Sequence, residues 1–154
     1  MKNRLINNLF IVTVLIQVCI CVYFGSSKIG LFGDEIWSYN LANCYFEPLL
    51  GDASQYYNTW LDSDFWQSRI TVSENTAFAY NSVIYNQSLD VHPPLYYILL
   101  HTVCSFYPNE FSKWFGIIPN IICFIIIQIL MYKSTSEFFK DKYLGLITIV
   151  LYGF

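Results

Sequence analysis

The sequence predicts an all-α integral membrane protein, a polytopic helical bundle with a long extracytoplasmic loop of short interfacial helices. Three observations predict it. Hydrophobic residues make up 55% of the chain and charged residues only 12%, about half the charged share typical of soluble domains. Apolar runs long enough to enter a bilayer recur along the chain. Between the first two runs lies a stretch rich in acids and aromatic rings, the composition of a segment folded at a membrane surface.

The first run is Leu9 to Phe24, interrupted only by Thr13 and Gln17 and preceded by Lys2 and Arg4. It predicts a span over about residues 7–25 with a cytoplasmic N-terminus, because basic residues flank spans on the cytoplasmic side. A cleaved signal peptide is the alternative. Tyr23-Phe24-Gly25-Ser26-Ser27 is a poor cleavage site, and Val18 before Cys19 is not the small residue a lipoprotein signal needs, so a retained anchor is expected.

Residues 26–93 form the outer loop. It holds eight acids (Asp34, Glu35, Glu47, Asp52, Asp62, Asp64, Glu74, Asp90) against two bases, Lys28 and Arg69. Its many aromatics argue against disorder, and a loop of this length is expected to be functional. Ile36, Trp37, Leu41, Cys44 and Tyr45 recur at helical spacing and predict one amphipathic helix.

Pro94 to Tyr107 is the second run, with His101 inside it, and predicts a short or tilted span over about 94–111. Trp114 to Tyr132 is the clearest span, with Pro119 in its early turns. Lys133 to Lys142 reads as a mixed-charge loop, and Tyr143 to Phe154 as the start of a fourth span over 143–154. Strict alternation puts Lys133 to Lys142 outside although it holds three lysines and two acids, a conflict of one unit of charge that is too weak to overturn the N-terminal signal. Twelve apolar residues cannot span a bilayer, so the chain is expected to be the front of a longer polytopic protein, either a fragment or a truncated gene product.

Composition also excludes some functions. A net charge of −3 and the absence of a basic patch give no footprint for nucleic acid. Cys19, Cys21, Cys104 and Cys123 lie in apolar runs, Cys44 stands alone in the polar loop, and no CxxC spacing occurs, so neither a disulfide framework nor a cysteine metal site is expected.

Two short motifs carry the chemistry. Asp34 and Glu35 follow Gly30 and Gly33, about ten residues past the first run. Neighbours on a helix diverge by about 100°, so one carboxylate can face a reacting atom while the other makes a structural or metal contact. Asp34 shares a face with Ser38. It could cap a helix, or act as a general base within reach of an acceptor hydroxyl.

The second motif is Asp90-Val91-His92-Pro93-Pro94-Leu95-Tyr96-Tyr97. Two prolines suit a helix start, and a helix start favours an anion. His92, the helix end and Tyr96 or Tyr97 would make a clamp for a lipid phosphate. Asp90 could orient the imidazole or cap the turn. Alternatively, the prolines only start a helix and His92 is a solvated interfacial residue. His101 is expected to be packed between helices. Arg69 has no positional support for a phosphate role. Trp60 and Trp66 could stack on a sugar but suit interfacial anchoring, and Asn86-Gln87-Ser88 is a weak glycosylation sequon.

The order of helix, outer loop opening with Asp34-Glu35, and Asp90-Val91-His92-Pro93-Pro94-Leu95 before a second helix resembles the N-terminal part of GT-C fold glycosyltransferases. The branch it resembles is the protein O-mannosyltransferase and aminoarabinose-transferase type (glycosyltransferase family 39), through Glu110 to Phe139. The resemblance implies an inverting membrane enzyme that moves a sugar from a polyprenyl-phosphate carrier to an extracytoplasmic glycan, lipid or protein acceptor. It implies Asp34 as the catalytic carboxylate, with Glu35 beside it, and puts His92 by the lipid phosphate, where the aminoarabinose branch has Lys. Relatives often place an Arg near Ile117, which this chain lacks, and they have many more spans and a C-terminal region, so the resemblance implies that this piece alone is inactive. No cofactor is required by the pattern, although a divalent metal is compatible with the carboxylates. The alternative is a non-catalytic membrane module that binds a lipid carrier or partner helices. A transporter or channel subunit would need ionisable residues inside the spans, and only His101 offers one.

Overall fold

The computed structural model describes residues 2–48 and 56–153. Asp52, counted among the loop acids, and Phe154, at the end of the fourth run, lie outside the described residues. Among those described, all regular structure is helical: α1 Lys2–Ser27, α2 Gly33–Asn43, α3 Ser63–Ile70, a 3-10 turn Glu74–Thr76, α4 Tyr80–Ser88, α5 Leu95–Ser105, α6 Trp114–Phe139 and α7 Lys142–Gly153. The chain divides into two compact units, Met1–Ile29 with Ile117–Phe154, and Gly30–Gly116.

In the first unit, α1 and α6 have 26 residues each, about 39 Å at a helical rise of 1.5 Å. Both are long and apolar enough to cross a membrane. Their exposed faces carry Ile11, Leu15, Ile118, Ile122, Ile126 and Leu130, the surface a lipid-facing helix presents. The two helices are antiparallel. The Tyr132 hydroxyl donates to Asn7 Oδ1 at 3.5 Å and its ring lies 4.5 Å from that of Phe10, while farther along Gln128 Nε2 donates to Gln17 Oε1 at 2.7 Å.

Both glutamines are buried. Gln17 Nε2 also donates to the Ile149 carbonyl of α7 at 3.0 Å, so one amide chain ties three helices. Glycine lets α7 come this close: a Cβ at Gly145 would stand 2.9 Å from the Tyr132 carbonyl oxygen. The mixed-charge stretch differs from expectation. Residues 133–139 continue α6, and the chain breaks only at Lys140, whose φ of 55° is the left-handed conformation that commonly ends a helix.

The second unit encloses a core of Tyr39, Leu41, Ala42, Val72, Val83, Tyr97, Leu100 and Cys104. The apolar run read as a span over 94–111 forms α5, which ends at Ser105 and has 11 residues. At about 16 Å it is too short to cross, and three of its apolar side chains fill this core. Residues 26–93 are thus less a loop of separate surface helices than most of a small folded body.

Buried amides fasten its helices. Asn43 Nδ2 donates to the Ile70 carbonyl at 2.6 Å, and Asn86 Nδ2 to the carbonyls of Leu41 at 3.1 Å and Cys44 at 2.7 Å. Those anchors set the inward face of α2. Leu41 and Cys44 of the expected stripe are buried, but Trp37 and Tyr45 are exposed, and Tyr39, Asn40 and Ala42 point inward.

Candidate functional site

α2 begins directly after Phe32, whose backbone N–H donates to Glu35 Oε2 at 2.8 Å. Glu35 therefore reaches back over the first turn and satisfies one of its open donors, the acidic half of a capping box. The capping role that was one alternative for Asp34 falls to its neighbour. Asp34 stands in the first turn with its carboxylate exposed, and Ser38 Oγ donates to its backbone carbonyl at 2.9 Å. The divergence of adjacent helical positions thus gives the two acids different surroundings.

α5 begins after Pro93-Pro94, with Pro94 at its N-cap. Just ahead, His92 Nδ1 and Asp90 Oδ2 are 2.6 Å apart. The Asp90 side chain is 15% exposed and that of His92 62%, so the carboxylate is the covered, orienting partner and the imidazole the presented one. The His92 hydrogen bond holds the Asp90 carboxyl below its ordinary pKa. With Nδ1 engaged, Nε2 is the nitrogen left to meet a ligand.

The Tyr97 ring lies 6.5 Å from that of His92. Burial, then the Asp90 charge, raises its phenol pKa, while Ser38 of α2 hydrogen-bonds the hydroxyl and lowers it. Tyr96 packs edge-on to Tyr97 at 5.7 Å. Its hydroxyl and that of Tyr39 converge on Gly116, where an added Cβ would meet the Tyr39 oxygen at 3.0 Å and the Tyr96 oxygen at 3.6 Å. Tyr39 accepts from the Gly116 N–H at 2.9 Å and donates to the Ser112 carbonyl at 3.2 Å. Burial pushes its phenol well above the usual range, and the Glu35 charge adds to that.

Three pairings set how α2 and α5 run. Ser38 meets Tyr97, Ala42 meets His101, and Asn43 meets Cys104. Residue numbers rise together, so the helices are parallel and their N-terminal ends lie at one end of the unit. Both predicted motifs sit there. Two positive helix ends, the exposed Asp34 carboxylate and the Asp90–His92 pair share that end, and it is rimmed by Phe32, Val91 and Leu95, which are 78%, 89% and 78% exposed. Such an arrangement can take a proton from a hydroxyl, hold an anion and rest against apolar material.

No family model, curated protein or solved structure matches the chain.

Arg69, His101, Asn86 and Trp66, also singled out from sequence, have structural employment. Arg69 Nη1 contacts Glu47 Oε2 and Cys44 Sγ, both at 3.3 Å, and its guanidinium lies 5.3 Å from the centre of the Phe65 ring. His101 is buried against the backbone of Ala42 and Thr76, and burial lowers its pKa. Asn86, the sequon asparagine, is fully buried with its amide committed to two carbonyls, so this fold offers no acceptor for a glycan there. Trp60 is exposed, and Trp66 stacks edge-on with Phe65. Among the described residues, no three His, Cys, Asp or Glu side chains gather to hold a metal. Tyr39 escaped sequence reasoning. Its only signal is its place one turn beyond Glu35, on the inward side of α2.

Proposed function

We propose that the chain works in a membrane glycosyltransferase of the GT-C type, moving a sugar from a polyprenyl-phosphate carrier to an extracytoplasmic acceptor. The observation that carries this reading is the parallel packing of α2 and α5, which puts Asp34 and the Asp90–His92 turn at the same end of one unit. Asp34 is the general base. It takes the proton of the acceptor hydroxyl as that oxygen attacks the anomeric carbon. The bond from that carbon to the carrier phosphate breaks with inversion, and polyprenyl phosphate leaves. The leaving charge is met by the start of α5 and by His92. Glu35 holds the first turn of α2, and Asp90 orients His92. Tyr96 and Tyr97 wall the site and set its spacing to α2.

The protein sits in the cell membrane with its N-terminus cytoplasmic. α1 crosses outward and α6 returns, leaving Gly30–Gly116 on the extracytoplasmic side and the α6–α7 turn in the cytoplasm. This places Lys133, Lys140 and Lys142 on the same side as Lys2 and Arg4, as the positive-inside rule requires. It removes the conflict that four alternating spans created. The Phe32, Val91 and Leu95 rim suits a site working against lipid.

The test is transfer from defined polyprenyl-phosphate sugars by the full-length protein in membranes. Asp34→Asn should cut turnover by roughly 10²- to 10⁴-fold, the usual worth of a positioned base, with membrane insertion unchanged. His92→Ala should raise the apparent KM for the carrier-linked donor more than that for the acceptor. Normal turnover by Asp34→Asn removes the assignment.

A further inference from the structure

The two motifs of the candidate site belong to different helices, and one side chain from each helix bridges the gap between them. Ser38 lies one turn beyond Asp34 on α2, and its hydroxyl donates to the Asp34 backbone carbonyl at 2.9 Å. Tyr97 lies in the first turn of α5, its ring 6.5 Å from that of His92. It is buried in the core that α2 and α5 share, and its hydroxyl bonds to Ser38. A serine hydroxyl has a single proton. Ser38 gives that proton to the Asp34 carbonyl, so in the Ser38–Tyr97 bond the phenol donates. The outcome is a directed chain from Tyr97 through Ser38 to the backbone of the residue that carries the base. An ordinary phenol keeps its proton at neutral pH, and burial with the Asp90 charge holds this one more firmly.

We propose that Ser38 and Tyr97 are positioning residues, whose bond is a clasp that holds the Asp34 turn of α2 at a fixed spacing from the His92 turn of α5. The inference rests on the reading of the two motifs as one site. A hydrogen bond is directional, whereas burial of apolar surface is not. The clasp therefore adds an angular constraint that the core behind it does not supply, and it acts at the end of the helices where the base and the phosphate-facing turn lie.

The clasp is tested in the full-length protein in membranes, by amide hydrogen exchange and by transfer kinetics. Tyr97→Phe removes the donor and Ser38→Ala the acceptor. Each should speed exchange in the helix it does not belong to: Tyr97→Phe over residues 34–38, and Ser38→Ala over residues 95–98. A side chain that only supports its own helix leaves the other unmoved. Each should also lower kcat by roughly 10- to 10²-fold, the scale of a misplacement of about 1 Å, with KM for donor and acceptor unchanged. The double variant should be no slower than the slower single one, because both break the same bond. Ser38→Thr keeps a hydroxyl that can bond the carbonyl one turn back and should restore both readouts. Exchange that rises only in the substituted helix, an unchanged kcat, or kcat losses that multiply in the double variant overturns the clasp, even where Asp34→Asn is inactive. Cross-helix exchange together with normal turnover by Asp34→Asn overturns the positioning role instead, and the base assignment with it, although the bond itself stands.

Discussion

Asp90 is the residue whose environment makes the sharpest demand on pH. Its carboxyl titrates below the ordinary range because His92 bonds to the ionised form. Its folded pKa is therefore lower than its unfolded value near 3.9. Stability from the pair is present above about pH 4 and lost as pH falls through the folded value. Asp90→Asn should cost at most about 1 kcal/mol, since the imidazole side is well solvated. That cost should shrink below about pH 4, as seen by comparing unfolding midpoints of the two proteins across pH 3–6. Identical pH profiles would mean that the pair does not form in solution. At this scale the sequence is a partial guide. Asp90 and His92, two positions apart beside a proline pair, are recognisable as partners. The cap made by Glu35 is not, because the usual signal has Ser, Thr or Asp at the N-cap and here Phe32 occupies it.

Between elements, polar side chains inside apolar helices decide the packing. The Gln17–Gln128 bond and the Gln17 bond to Ile149 join α1, α6 and α7 where no competing water is expected. Interhelical hydrogen bonds in membranes average about 0.6 kcal/mol and reach about 1.7. A double-mutant cycle of Gln17→Leu and Gln128→Leu, read by unfolding in bicelles, should give a coupling of about 1 kcal/mol. A coupling indistinguishable from zero would assign the contact to packing alone. Gly145→Val should destabilise α7 docking by about 1–3 kcal/mol, the usual cost of overpacking, because the carbonyl it meets is fixed backbone. α1 and the apolar part of α6 were legible from length and hydropathy. α5 was not, because a short, mostly apolar run from Pro94 to Tyr107 suits a buried helix of a folded body as well as a tilted span, and only burial against Tyr39, Val72 and Val83 separates the two. The tail of α6 was hidden by its charges. Lys133 to Glu137 contains no Gly or Pro, so nothing there stops the helix before Lys140.

On the scale of the whole molecule, orientation in the membrane follows from how many helices cross before Lys133. With α5 counted as a span, Lys133 to Lys142 would face outward and oppose the N-terminal lysine and arginine. With α5 inside a folded unit, α1 and α6 form one antiparallel pair. The contact of Asn7 with Tyr132 then places the start of α1 and the later turns of α6 at the same end of that pair. On the proposed topology, basic residues at both places act in concert, and Gly30–Gly116 is exported as one piece between two crossings. Single cysteines at Asp62 and Lys140, each in an otherwise cysteine-free protein, test this directly. A membrane-impermeant maleimide applied to intact cells should label position 62 and spare position 140 until the membrane is opened. Labelling of both positions in intact cells would restore α5 as a crossing. Asp34 and the His92 turn both precede that crossing and would still face outward, but the parallel seam between α2 and α5, and the buried core it closes, would be untenable.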